Sequence, residues 1–143
     1  MPAATGRPPW STVAAVSAGG VAGSLARYGL GVAFPVRPGG FPWATFAVNV
    51  SGCLLIGVLM VVITEATRPH PLARPFLGVG VLGGFTTFSG YVVDIGRTFG
   101  AGAPVTAVAY LAGTAAAALA AVYAGAAATR AAVARTSRRK GSP

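Results

Sequence analysis

The stretch LGGFTTFSG, residues 82–90, decides how this chain is read. It sits inside a run, 75–93, that carries no charged residue. Two adjacent glycines, two threonines and a serine interrupt that run. Glycine lowers helix stability through backbone entropy, and small hydroxyl side chains compete for backbone hydrogen bonds. In a bilayer, a span breaks only where its freed backbone groups find partners inside the protein. The glycines at 83 and 84 have two readings from spacing alone. Either they loosen the helix so that carbonyls face a cation, or they let another helix pack closely.

The rest of the composition places this run in a membrane. The chain has 143 residues, of which 54% are hydrophobic and 9% charged. Soluble domains carry about 25% charged residues. Uncharged runs cover 8–26, 38–64, 75–93 and 98–129, each at least 19 residues long. A membrane helix needs roughly 17–25. The expected fold is therefore all-α, with four transmembrane helices over about 10–33, 43–64, 72–97 and 103–129 and the third broken at mid-membrane. The first run is a poor signal peptide, because it is long and Gly-rich and runs into further spans. Residues 1–9 form a Pro-rich lead expected to be disordered, 10–129 the transmembrane domain, and 130–143 a basic tail.

The net charge of +9 would suggest nucleic acid in a soluble protein, but here it belongs to the membrane surface. With four spans, both termini and the middle loop share one face. That face holds Arg7, Arg68, Arg74, Arg130, Arg135, Arg138, Arg139 and Lys140, eight cations, against Arg37 and Arg97 on the other. The positive-inside rule then places both termini in the cytoplasm of a multi-pass plasma-membrane protein. No nucleic-acid partner is expected. Cys53 lies in an apolar run, has no second cysteine to pair with and matches no metal spacing. His70 is a loop residue between prolines. No nucleophile–base pair is visible, which argues against an enzyme.

Helix 1 contains GGVAGSLARYGL, with Gly19 and Gly23 four apart, and helix 2 contains NVSG. Together with GGFTTFSG, these motifs resemble the Fluc (CrcB) family of fluoride-specific ion channels. The resemblance runs from about residue 18 to 114 and leaves the tails outside. It implies small four-helix subunits paired as an antiparallel, dual-topology dimer that passes fluoride. It also implies a structural, untransported sodium ion at the dimer centre, held by the backbone carbonyls of Gly83 and Thr86. The implied pore aromatics are Phe88 and Tyr91, and the implied polar positions are Asn49, Tyr110 and Thr114.

The side chains agree with such roles. Fluoride is strongly hydrated, so a pore must replace its water with donors. Asn49 offers an amide, and Thr87, Ser89, Tyr110 and Thr114 offer hydroxyls. Aromatic ring edges carry partial positive charge. Phe88 and Tyr91 share one side of a helical turn, as do Tyr110 and Thr114. Asn49, the one amide side chain in the protein, could equally be helix–helix glue. Arg27 could draw anions to an entrance or snorkel to the interface. The carboxylates, Glu65 and Asp94, lie near span ends, so proton-coupled export lacks an intramembrane acid.

The chain departs from the family pattern after TTFS. Gly90 stands for a Thr, Tyr91 for the second Phe and Asp94 for a Glu, and Ala118 stands where a further hydroxyl would extend the row. An eight-to-two cation bias also suits one fixed orientation. The expected assembly is an antiparallel dimer with itself or with an oppositely oriented homologue. The competing readings are a non-conducting accessory half of such a dimer and a small multidrug-type exporter, which would want a glutamate in helix 1.

Overall fold

The structure, a computed structural model, describes residues 9–66 and 70–140. Among these residues the regular structure is helical throughout, with no strand. Prolines and glycines set most of the boundaries. Helix α1 (Trp10–Ala33) starts after Pro9 and stops at Phe34, whose backbone leaves the helical region just before Pro35. A proline disfavours helical backbone in the residue ahead of it. The loop that follows turns through Gly39 at φ 72°. Helix α2 (Trp43–Val61) starts after Pro42 and runs into one wider π turn, Val62–Ala66.

The third rod is built in pieces. A π-helical segment, Arg74–Leu82, leads into a single α turn, α3 (Gly83–Phe85). Thr86 and Thr87 are extended, and helix α4 (Phe88–Gly100) resumes beyond them. Gly102, at φ 77°, turns the chain into α5 (Pro104–Lys140). Helix α5 runs past the expected end at residue 129. Between Gly125 and Gly141 the sequence offers neither Gly nor Pro and is rich in Ala, the best helix former. Its 37 residues measure about 55 Å at 1.5 Å each, against a hydrocarbon core of about 30 Å.

Among the described residues, three helical stretches are long and apolar enough to cross a membrane: Trp43–Glu65, Arg74–Gly100 and Pro104–Thr136. The expectation of an all-helical membrane protein holds at that level. Helix α1 has 24 residues but is diluted by five glycines and Arg27.

Glycine determines how the rods meet. A Cβ at Gly19 would strike the Phe76 carbonyl, and one at Gly23 would strike the Val81 carbonyl. From the other side, a Cβ at Gly80 would lie 2.8 Å from the Val16 carbonyl, and one at Gly84 would strike the Gly20 carbonyl. So α1 lies backbone against backbone on the first half of the third rod, as the Gly19/Gly23 spacing suggested. Helices α2 and α5 repeat the device, with Gly57 against the Val122 carbonyl and Gly125 against the Leu54 carbonyl. Lipid tails give no hydrophobic drive to helix association, so such close backbone contact is a main source of attraction. Where α2, α4 and α5 converge, Val48, Tyr91, Ala107, Tyr110 and Thr114 are buried. At one end, the Arg130 Nε donates to the Glu65 carboxylate at 2.9 Å and ties α2 to α5.

Candidate functional site

The break leaves two helix ends facing each other, and each end has unpaired backbone groups. Thr86 (φ −76°, ψ 158°) and Thr87 (φ −148°, ψ 124°) form the gap. Asn49, buried on α2, closes most of it. Its Nδ2 donates to the Thr87 carbonyl at 2.9 Å, and its Oδ1 accepts from the Thr87 amide at 2.8 Å. The side-chain amide thus pairs with Thr87 as a neighbouring strand would. The Thr87 Oγ1 accepts from the Gly90 amide at 2.9 Å and caps the N-terminus of α4. The Thr86 hydroxyl donates back to the Leu82 carbonyl at 2.9 Å. Gly52 sits opposite, where a Cβ would strike the Thr86 methyl.

Carbonyls on the first half-helix are treated unequally. The Gly84 carbonyl accepts from the Arg27 Nε at 3.1 Å and from the Ser24 hydroxyl at 3.4 Å. Among the described residues, no donor reaches the carbonyls of Gly83 and Thr86. Both residues line a groove of about 420 Å³ between α2, the third rod and α5.

Seven of the ten residues singled out from sequence line that one groove: Asn49, Gly83, Thr86, Thr87, Phe88, Tyr91 and Thr114. Its remaining wall is apolar and includes Cys53, Ile56, Leu82 and Ala118. Phe88 is 78% exposed, whereas Tyr91 is buried, with ring centroids 6.0 Å apart. The Tyr91 hydroxyl donates to the Leu111 carbonyl, and its ring meets Tyr110 edge-on at 5.2 Å. Tyr110 and Thr114 are buried; the Thr114 hydroxyl has no hydrogen-bond partner among the described residues, and the Tyr110 hydroxyl has the Thr45 hydroxyl beside it. Unpaired buried hydroxyls are uncommon and call for a ligand or water.

Three of the ten lie off the groove. Tyr110 is just behind it, sealed by Phe41 and Tyr91. Ser89 lies 3.5 Å from the Thr87 hydroxyl on the outer surface. Arg27 lines a second cavity, about 410 Å³, with Thr45, Thr87, Asp94 and Arg97. Thr87 therefore borders both spaces.

Sequence reasoning missed Thr45 and Ser24. The Thr45 hydroxyl donates to Asp94 at 2.6 Å, joining α2 to α4. Its signal was available, since Thr45 precedes Asn49 by four residues and shares its helix face. Ser24 stands three residues before Arg27, and that spacing on one helix face marks both as partners for a single acceptor.

Comparison with known proteins shows the family. Residues 14–126 match the family described as CrcB-like protein, Camphor Resistance (CrcB). The chain is 59% identical over 102 residues to Fluoride-specific ion channel FluC 2 of Streptomyces avermitilis, covering 71% of this chain and 65% of that protein. It is 55% identical over 116 residues to Fluoride-specific ion channel FluC 2 of Nocardia farcinica, covering 81% and 83%. Fluoride-specific ion channel FluC 2 of Thermobifida fusca is 51% identical over 131 residues, covering 92% and 97%. These relatives carry the names of ion channels, not of enzymes. With identity above one half across most of its length and a family match that takes in every element from α1 to α5, the chain belongs to the CrcB-like family.

Proposed function

We propose that this chain is a subunit of a fluoride-selective channel that lets fluoride leave the cell passively. The observation that carries the reading is the groove at the break, where donors with spare capacity converge. Asn49 uses one of its two N–H groups on Thr87 and keeps the other. The Thr114 hydroxyl, on the groove wall, is unspent. Phe88 and Tyr91 line the same groove. A small anion stripped of water would find N–H, O–H and ring C–H partners along one wall. The sole carboxylates in the chain, Glu65 and Asp94, lie away from this groove, which fits conduction better than proton-coupled export.

In this reading α1 is the fourth span and the break lies at mid-membrane. The carbonyls of Gly83 and Thr86 would hold a structural sodium ion. Their lack of hydrogen-bond partners suits that role, because a hard cation takes oxygen ligands. The ion would supply a fixed positive charge where two subunits meet. The partner is an antiparallel subunit, and the eight-to-two cation bias favours an oppositely oriented homologue over a second copy of this chain. Departures at Gly90 and Ala118 support a second reading, in which this subunit is a non-conducting or accessory half of the pair.

Fluoride efflux from liposomes tests the proposal, with chloride as control and sodium varied. Fluoride release with chloride retained, from this chain alone, establishes a self-sufficient channel. Release only after an oppositely oriented homologue is added supports the heterodimer. No release in either case refutes the channel reading.

A further inference from the structure

Tyr91 is the one groove aromatic that carries a hydroxyl, and the structure shows where that hydroxyl goes. It donates to the backbone carbonyl of Leu111, twenty residues away on α5. The phenol is 7% exposed, and its ring lies between Phe88 and Tyr110. A carbonyl in the middle of an α-helix already accepts from the amide four residues on, so the phenol is a second donor to an occupied acceptor. Losing it would leave no orphaned group on α5.

Helix α4 needs such a tie. It packs mainly on α5 and only lightly on α2. Its start is held by Asn49 through Thr87, and its middle by Thr45 through Asp94. Both of these anchors come from α2. Among the described residues, the phenol supplies the side-chain hydrogen bond that fastens α4 to α5, and it does so one turn from the break. It also decides what Tyr91 offers to the groove. With the O–H committed to Leu111, the residue offers its ring to the groove and leaves the Thr114 hydroxyl free to donate elsewhere.

We propose that Tyr91 is a positioning residue: its hydroxyl latches α4 to α5 and fixes the ring edge beside Thr114, and this latch sets the rate of anion passage. The role in passage rests on the channel reading above, whereas the latch itself does not. Side-chain hydrogen bonds within membrane proteins average a bias of about threefold in a two-state population.

Tyr91→Phe keeps the ring and removes the donor, so it tests the idea without opening a cavity. Full-length protein is measured in liposomes by amide hydrogen exchange and by fluoride efflux, with the oppositely oriented homologue present if conduction requires it. Tyr123→Phe, at a phenol 77% exposed, is the control. The expected result is exchange about threefold faster in α4, unchanged exchange in α1, and efflux about threefold slower with chloride still excluded. Unchanged α4 exchange overturns the latch. Faster α4 exchange with wild-type efflux overturns its part in passage. A wild-type protein that releases no fluoride overturns the channel reading and the passage role together, while the exchange result still decides the latch.

Discussion

Replacing Asn49 with alanine should damage both stability and conduction, and the size of the effect follows from the geometry of the break. Two hydrogen bonds vanish, the Nδ2 donation at 2.9 Å and the Thr87 amide donation at 2.8 Å. Both lost partners belong to a backbone that cannot turn elsewhere, because Thr87 is extended between two helix ends. A membrane hydrogen bond is worth about 0.6 kcal/mol on average and up to about 1.7. Two of them give about 1–3 kcal/mol. The groove admits some water to the abandoned groups, which holds the cost to that range and not to the larger penalty of a sealed site. If α4 must stand in register for anions to pass, the same energy corresponds to about a ten- to hundredfold loss of efflux. Asn49→Asp is a sharper probe, since it keeps an acceptor for the Thr87 amide but sets a carboxylate against the Thr87 carbonyl. It should be worse than alanine on both counts. Unfolding in detergent, followed by tryptophan fluorescence, reads the stability, and liposome efflux reads the conduction. An alanine variant with wild-type stability and wild-type efflux would show that the break holds itself together without Asn49, and the reasoning would fail.

Other perturbations separate the remaining contacts. Thr87→Val keeps the shape but removes the cap on α4, and should cost about 1 kcal/mol in the same unfolding assay, whereas Thr87→Ser should cost little. Gly57→Val would drive a side chain into the Val122 carbonyl of α5; it should abolish monodisperse protein on size-exclusion chromatography. Glu65→Gln breaks the ion pair with Arg130, whose side chains are 62% and 42% exposed for Arg130 and Glu65, and should shift stability by less than about 1 kcal/mol.

Much of this architecture was legible because it rests on residues with few alternatives. Prolines ahead of Trp10 and Trp43 announced the helix starts, and the GG and TT pairs announced the interruption of the third rod. Gly19 and Gly23 could be read as a contact surface because only the absence of a Cβ allows backbones so close. What escaped was decided by backbone acceptors or by hydrogen-bond register, which leave no imprint on residue type. The Leu111 carbonyl would accept a phenol equally well with another side chain at that position. The π register of Arg74–Leu82 is a matter of which amide meets which carbonyl. The length of α5 as a helix escaped for a different reason. A run of arginines marks where a helix leaves lipid, but it does not unwind the helix, and here the backbone continues to Lys140.

Helix α1 touches the bundle almost wholly through atoms that every amino acid shares. Of its 24 residues, only Gly19 and Gly23 are buried. Trp10, Val21, Leu25 and Tyr28 are exposed, whereas Ser24 and Arg27 reach the Gly84 carbonyl of the third rod. The helix therefore has two faces under separate selection. At Gly19 and Gly23 the inner face has no room for an atom beyond the main chain, and beside them it carries only the two side chains that reach Gly84. The outer face can change its chemistry residue by residue, to suit a thicker membrane or a different neighbour, without any adjustment in the rods behind it. A deep mutational scan of α1 would look like a striped barrel, with a narrow forbidden seam along Gly19 and Gly23, a sensitive flank at Ser24 and Arg27, and broad permission around the rest.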